Sequence, residues 1–547
     1  LVTGGDRVPL AAAPGLPQQA LADAAGALVL EVAGRPFADH AAPAPGGALR
    51  IEGVFAGARA EAPDGTPGAL VLRHGTLGDT VSLPLEREAA RFAALLAPPP
   101  RHGEWEVLLD GLPVRVTGAL AARLPAHPEG AAFRVDRRHG DRLTLHADPA
   151  LGDAERGAYR QGLLRTAHYP ARRRLPLREA VLYTGLDAGL PTGGGSPRAV
   201  HAELVRRGTG AEHLWVTDGS AGSAAQVPAA AVPVVAYSTA WYEALARARR
   251  VVAAGTLPAW FERRPGQTVL QTWHGSPLGR FGLDLADSLY ADHQDLATLA
   301  HRSAQWSVLV SPSRFATPHL RRALAYGGEV LEAGSPATDL LHAPGRDRTA
   351  ERVRRGLGVP GGHRTVLYAP TYRDHLAHPP GSTPGSASRL YRWEDALDPG
   401  ALLRELDDRT TLLVRRHPRV TGSVVPGPGL IDVSAHPDPT ELLLIADVLV
   451  TDYSGLVFDF AHTGRPMLFH TYDLEHYRDT VRGFCLDFEA LAPGPLIATA
   501  DGLARALRSP GAWGDAHPGA YEAFRRTFCD LDDGGAARRV ADRLLAG

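Results

Sequence analysis

Lysine and asparagine are absent from the 547 residues, so every one of the 58 basic side chains is an arginine. The missing lysine excludes Schiff-base catalysis and phosphate loops built on a lysine. Two cysteines, Cys485 and Cys529, are too few for a disulfide framework or a zinc site. They read as small apolar residues of a protein in a reducing compartment. Methionine occurs once, at Met467, so Leu1 does not read as a natural start and an upstream portion is expected. No secretory signal opens the chain. The longest uncharged run, 219–242, carries Pro228, Pro233 and several Ser and Gly, which makes a poor membrane span. With a formal charge of -2 there is no global basic field, which argues against nucleic acid as a partner.

What the chain does have is a change of rhythm along its length. Residues 1–48 read as an irregular segment. From 49 to 150, short alternating runs such as "LRIEGVFAG" and "WEVLLDGLPVRVTG" are separated by Gly, Pro and Asp, which predicts a small antiparallel β-sandwich without a catalytic constellation. Residues 151–178 read as a basic linker whose Arg172, Arg173, Arg174 and Arg178 suit either solvent or an anionic lipid surface. After Glu179, apolar runs of four to six residues alternate with amphipathic stretches, the pattern of an α/β doubly wound parallel sheet. One such unit is expected over 179–304 and a second over 305–547, facing each other across a cleft, with "HPPGSTPGSASRL" (378–390) interrupting the second as a mobile loop.

Open parallel sheets bind ligands just beyond the carboxyl ends of their strands. Polar residues recur there: His274 after "VLQTW", Thr371 and Arg373 after "VLYAP", Arg415 and His417 after "LLV", Asp452 and Ser454 after "VLVT". In "VLVTDYSGLVFDF", Ser454 is the expected helix N-cap and Gly455 permits close backbone approach, so the free amides of the helix start suit a phosphate. In "LLVRRHPRV", Arg415 and His417 share one side and Arg416 takes the other, an arrangement able to neutralise a diphosphate. His274 suits proton abstraction from a hydroxyl. Taken singly, these fit a capped helix, a surface turn and a structural histidine equally well. Their recurrence at four strand ends points to one common site.

From about Ala180 onward the ordered strings "YSTAWYEALARARRVVAAGTLPAWFERRPGQTVLQTWHGSP", "SPSRFATPHLRRAL", "LYAPTYRD", "RRHP", "TDYSGLVFDF", "YDLEHYRDTVRGF" and "DDGGAARRVADRLL" resemble the CDP-glycerol glycerophosphotransferases of teichoic acid synthesis. The resemblance implies a GT-B fold of two Rossmann-like domains, the first on the acceptor side and the second binding CDP-glycerol. It implies transfer of glycerol phosphate from CDP-glycerol to a hydroxyl of a lipid-linked glycerol-phosphate or polyol-phosphate acceptor, with release of CMP. It also implies peripheral attachment to an anionic membrane surface at the cytoplasmic face. By motif, His274 is the general base and Gly275, Ser276, Pro277 and Leu278 line the donor pocket. Pro370, Thr371 and Arg373 contact the nucleotide, Arg415, Arg416 and His417 the diphosphate, and Ser454, Gly455 and Asp459 the second phosphate and a hydroxyl. Neither metal nor other cofactor is expected. The sequence departs from the family pattern at Ala337 (Arg in the family), Gly279 (Lys), Ser196 (Asn) and Gly455 (Ser). Two alternatives stand beside this reading: the same fold with CDP-ribitol or a nucleotide sugar as donor, and a degenerate polymer-binding module without catalysis.

Overall fold

A computed structural model of the chain describes residues 8–9, 19–22, 28–31, 35–55, 69–88, 91–97, 101–128, 133–147, 151–185, 195–255, 257–379, 389–394, 396–424 and 427–546. The first 48 residues are not irregular throughout. Val8–Pro9, Gln19–Ala22 and Leu28–Glu31 form a three-stranded antiparallel sheet, and Pro36–Pro43 is the first strand of a larger one. That larger sheet takes up most of residues 36–147 as eleven strands, nine in one hydrogen-bonded series and two paired off it, including a parallel pair between Arg115–Val116 and Pro36–Pro43. It therefore differs from the expected antiparallel sandwich in both start and pairing. Alternation explains its single core: Leu49, Ile51 and Phe55 of Leu49–Phe55 face Leu70, Phe92, Trp105 and Phe133. A side chain at Gly53 would strike the Phe37 carbonyl and the Phe92 ring, so glycine lets these strands close.

The expected basic linker is helical, over Gly157–Leu163, Leu164–His168 and Tyr169–Arg173. Tyr169 packs into the core of the unit that follows, and Arg173 donates to the Tyr169 hydroxyl at 3.2 Å and to the Glu262 carbonyl. Arg172 pairs with Glu243 at 3.6 Å and Arg178 with Glu212. Three of the four arginines are thus engaged within the protein rather than held out for a lipid surface. No helix among the described residues is long and apolar enough to cross a membrane.

The remainder is a mixed α/β structure built on two parallel sheets. The first runs in the order Val232–Val235, Glu212–Thr217, Arg178–Thr184, Ala248–Ala253, Thr268–Gln271, Val308–Ser311, Glu329–Glu332, all parallel. The second runs Leu430–Asp432, Thr410–Val414, Arg364–Tyr368, Val448–Thr451, Met467–His470, Leu496–Ile497, also all parallel. The boundary expected at 304/305 is displaced: Val308–Ser311 and Glu329–Glu332 complete the first sheet, because their buried runs pair with Thr268–Gln271 and with each other. The carboxyl end also leaves the second unit. Helix Ala536–Ala546 lays Val540, Ala541 and Leu544 on Val181, Tyr183, Val200 and Leu204 of the first sheet and its helix Ser196–Arg207. Of the loop expected over 378–390, residues 380–388 lie outside the described residues. At its edges His378 is 2.8 Å from the Thr421 hydroxyl and Leu390 is buried.

In both sheets the chain starts at a central strand, moves outward to one side, and then resumes on the other. The reversal leaves a crevice between Arg178–Thr184 and Ala248–Ala253 in one sheet, and between Arg364–Tyr368 and Val448–Thr451 in the other. Ala254 and Gly255 at the first crevice, and Ala369 to Thr371 and Tyr453 to Gly455 at the second, line the same cavity of about 860 Å³.

Candidate active site

The wall carried by the first sheet is shaped by a strained exit from Thr268–Gln271. Gln271 is fully buried; its amide donates to the Gly255 carbonyl at 2.8 Å and its oxygen accepts the Trp273 amide at 2.9 Å. Those bonds hold Trp273 at φ 51°, a left-handed conformation that costs a bulky residue roughly 1–3 kcal/mol. Gly275 follows at φ 93°. The consequence is that His274 swings into the cavity with its ring stacked on the Trp273 indole, centroids 4.5 Å apart.

His274 is exposed toward the cavity yet surrounded by protein walls. Desolvation, followed by the charge of Arg419, pushes its imidazole down to about 3. Near neutral pH the ring is therefore uncharged. Ser276 and Pro277 continue the wall, with the Ser276 hydroxyl 3.4 Å from that of Ser313. Leu278 lies in the cavity lining as well, but little of it is exposed there. Its side chain is 2% exposed and packs into the core of the second unit with Tyr453, Tyr477 and Val481, while its carbonyl accepts the Cys485 amide at 2.8 Å. It anchors the loop across the cleft.

The opposite wall is cationic. Arg415 is largely buried, and its Nη1 donates to the carbonyls of Val433 (3.2 Å) and His436 (2.9 Å); burial lowers its guanidinium to about 10. Arg416 donates to the Gly422 carbonyl and lies 3.4 Å from Asp432. All three of Arg415, Arg416 and His417 line the cavity. The Nδ1 of His417 accepts the Arg419 amide at 3.1 Å, so the neutral ring carries its proton on Nε2 as a donor. Burial, then Arg419, Arg482, His274 and Arg415, hold this imidazole well below the ordinary histidine range. His274 and His417 therefore line one cavity, and His274 is among the groups that lower His417.

Arg373 does not reach this site. Its guanidinium is 2% exposed, paired with Asp452 at 2.9 Å and Asp473 at 2.7 Å, and it lies over the rings of Tyr453, Tyr472 and Tyr477. Asp452 itself fixes the Thr371 amide at 2.8 Å, so this buried cluster shapes the loop of Pro370 and Thr371 from behind. The arginine that lines the cavity in its place is Arg482, held by both oxygens of Asp374 (2.6 and 3.0 Å) and by the Tyr372 hydroxyl at 2.8 Å. Arg419 lines it too. Neither was among the expected contacts. The signal for Arg419 was its place two residues after His417; Arg482 lies in "RDTVRGF", far from any strand end. Arg482 also accounts for Gly279, because a Cβ there would lie 2.9 Å from the Tyr477 hydroxyl and 3.1 Å from Arg482 Cδ.

Ser454, Gly455 and Asp459 close the third side. The helix that follows Gly455 and carries Asp459, Leu456–Ala461, has only six residues, and its cap position is Gly455 rather than Ser454. The Ser454 hydroxyl accepts the Leu456 amide at 3.3 Å. Glycine at 455 lets the two units meet, since a Cβ would lie 3.0 Å from the Ser276 carbonyl. Asp459 lies near Gly275 and is raised by burial to about 7. The folded chain thus keeps a proton on Asp459 that the unfolded chain releases near pH ~3.9, so stability falls as pH rises between those values. Asp459→Asn is expected to raise the thermal midpoint at pH 8 and to change it little at pH 5, measured by scanning fluorimetry. Equal shifts at both pH values would remove the buried-carboxyl assignment.

The assembled site is lined by three histidines, His274, His417 and His436, all lowered by burial, with Arg415, Arg416, Arg419 and Arg482 around them. It suits a substrate with several negative charges and a proton to move. Among the described residues no group of three or more His, Cys, Asp or Glu could hold a metal ion.

Comparison with known proteins adds three findings. A sequence model of the family described as CDP-Glycerol:Poly(glycerophosphate) glycerophosphotransferase matches residues 169–546. The chain is 33% identical over 314 residues to the teichoic acid poly(glycerol phosphate) polymerase of Bacillus subtilis, covering 56% of this chain and 41% of that one. It is 33% identical over 320 residues to the teichoic acid glycerol-phosphate transferase of Staphylococcus aureus, covering 57% of this chain and 80% of that one. The match thus spans less than half of the Bacillus relative. A solved structure of the wall teichoic acid polymerase TagF, a histidine-to-asparagine variant soaked with CDPG, superposes with a TM-score of 0.61 at 26% identity, covering 71% of this chain and 94% of that one.

Proposed function

The chain belongs to the CDP-glycerol:poly(glycerophosphate) glycerophosphotransferase family, and from that premise we propose that it transfers glycerol phosphate from CDP-glycerol to a hydroxyl of a lipid-linked teichoic-acid-type primer or polymer, releasing CMP. The observation that carries this reading is the meeting of His274 and His417, from two different sheets, over one arginine-lined cavity. The two parallel-sheet units then act as a GT-B pair, with the acceptor on the His274 side and the nucleotide on the other, and the β-rich region precedes them as an accessory domain.

In this scheme neutral His274 takes the proton of the acceptor hydroxyl while its oxygen attacks the glycerol-bearing phosphorus. The new P–O bond forms as the bridging P–O bond breaks, and CMP departs with the bonding electrons. Charge grows on the CMP phosphate, where the Nε2–H of His417 and the guanidinium groups of Arg415, Arg419 and Arg482 are placed to hold it. Such transfers depend mainly on position and electrostatics, which this set of groups supplies. Asp459 and Ser454 are assigned to the glycerol hydroxyls and its phosphate. Arg373 is assigned no substrate contact.

Attachment to the cytoplasmic face of the membrane follows in this reading from the lipid on the acceptor, not from the arginines near Arg173, three of which are engaged within the chain. The non-catalytic alternative is disfavoured because the cavity is open rather than filled by side chains.

The test is CMP release from a donor panel of CDP-glycerol, CDP-ribitol and nucleotide sugars with a glycerol-phosphate primer. CDP-glycerol is expected to be preferred. His417→Ala is expected to lower kcat by about 10²–10³, the cost of removing one transition-state donor. Turnover of a nucleotide sugar alone, or full activity in His417→Ala, would overturn the reading.

A further inference from the structure

The β-rich region contributes no described residue to the cavity lining, yet it grips the segment that carries His417. Asp79, just beyond strand Leu70–His74, accepts the Gly422 amide at 2.5 Å. Its second oxygen lies 2.7 Å from Arg101 Nε, an ion pair without hydrogen-bond alignment. Arg101 donates through Nη2 to the Pro418 carbonyl at 3.4 Å, and the hydroxyls of Thr80 and Ser423 are in contact. On the other side, His102 Nε2 lies 2.9 Å from the Asp218 carbonyl of the first parallel-sheet unit. The same edge therefore bridges both units.

The gripped segment is short, and both of its ends lead into the cavity. The Gly422 carbonyl takes the Arg416 guanidinium, and the Arg419 amide sets the tautomer of His417. Asp79 is nearly buried, so its bond to Gly422 faces little competition from water. Gly422 sits at φ 101°, a conformation that favours glycine, so this bond also selects an unusual backbone turn.

We propose that Asp79 and Arg101 are positioning residues for the transfer: they clamp residues 418–422 and thereby aim His417 and Arg416 at the donor diphosphate. The clamp rests on the reading of His417 as a donor to the leaving phosphate. It gives the β-rich region a catalytic task without substrate contact.

The test uses the full chain with Asp79→Ala, Asp79→Asn and Arg101→Leu. Asp79→Ala and Arg101→Leu are expected to lower kcat by about 10- to 100-fold, the scale of an ångström-level misplacement, with KM for CDP-glycerol little changed. Asp79→Asn keeps an acceptor for the Gly422 amide and is expected to restore most of kcat. Hydrogen exchange of a peptide covering 416–423 is expected to quicken in Asp79→Ala and not in Asp79→Asn. Wild-type kcat and wild-type exchange in both Asp79→Ala and Arg101→Leu would overturn the clamp. So would a loss shared equally by Asp79→Asn and accompanied by faster exchange throughout 36–147, which marks a folding defect. If His417→Ala stays active the parent reading fails, whereas the exchange measurement still judges the clamp.

Discussion

His274→Ala is expected to lower kcat for CMP release by about 10²–10⁴, the range that a positioned general base supplies, while KM for CDP-glycerol changes little. The substitution removes the imidazole and leaves the strained turn at Trp273 and Gly275 in place, because Gln271 and not His274 holds it. The pH profile is the sharper measurement. With the ring held below the ordinary histidine range by the cleft walls and Arg419, the free enzyme keeps its base unprotonated at pH ~6.5, where an ordinary histidine is half protonated. Activity under kcat/KM conditions therefore persists as pH falls through 6.5. A weak base is a poor proton acceptor, and the bound donor corrects this: its negative charges offset Arg419 and raise the pKa of His274. The acid limb of kcat is accordingly expected at higher pH than that of kcat/KM, since the first reports the complex and the second the free enzyme. Wild-type turnover in His274→Ala, or coincident limbs, would remove this assignment.

Arg373→Met is expected to cost about 3–5 kcal/mol of stability, because it strands the carboxylates of Asp452 and Asp473 in a nearly water-free cluster. Burial works against the Arg373 cation, and the two aspartates outweigh it, so the guanidinium stays charged. The expected readout is a fall in the thermal midpoint and in the denaturant midpoint. At temperatures where the variant is folded, loss of donor affinity should be secondary, arising through the Thr371 loop that Asp452 secures. A variant with an unchanged midpoint and a selectively raised KM would return Arg373 to the substrate. Arg482→Ala provides the contrast, since that residue lines the cavity and its removal is expected to act mainly on the donor.

The two arginines show where reading the chain succeeds and where it stops. Arg373 follows a buried strand and so satisfied the rule that placed His274, Arg415 and Ser454 at the cavity. The rule locates the backbone, but the direction of a long side chain depends on where its counter-charges lie. For Arg373 these are Asp452 and Asp473, the latter one hundred residues away. Arg482 reaches the cavity from a stretch with no strand signal, because Asp374 and Tyr372 draw it there. The unit boundary illustrates the same limit. "WSVLVSPS" and "GEVLEAGSP" were legible as strands, but a parallel strand carries no local mark of which sheet it joins. Pairing with Thr268–Gln271 decided it.

The sequence by itself determined the α/β rhythm, the β-rich start, the family, and the strand ends at which the cavity residues lie. It could do so because hydrophobic period and turn chemistry act over a few residues. Only the tertiary structure decided the pairing of Val308–Ser311 and Glu329–Glu332, the return of the terminal helix to the first sheet, the retreat of Arg373 from the cavity, and the grip of Asp79 on the Gly422 turn. Each of these is a choice among distant partners. Burial and charge settle such choices through the whole fold, and no short stretch of chain records them.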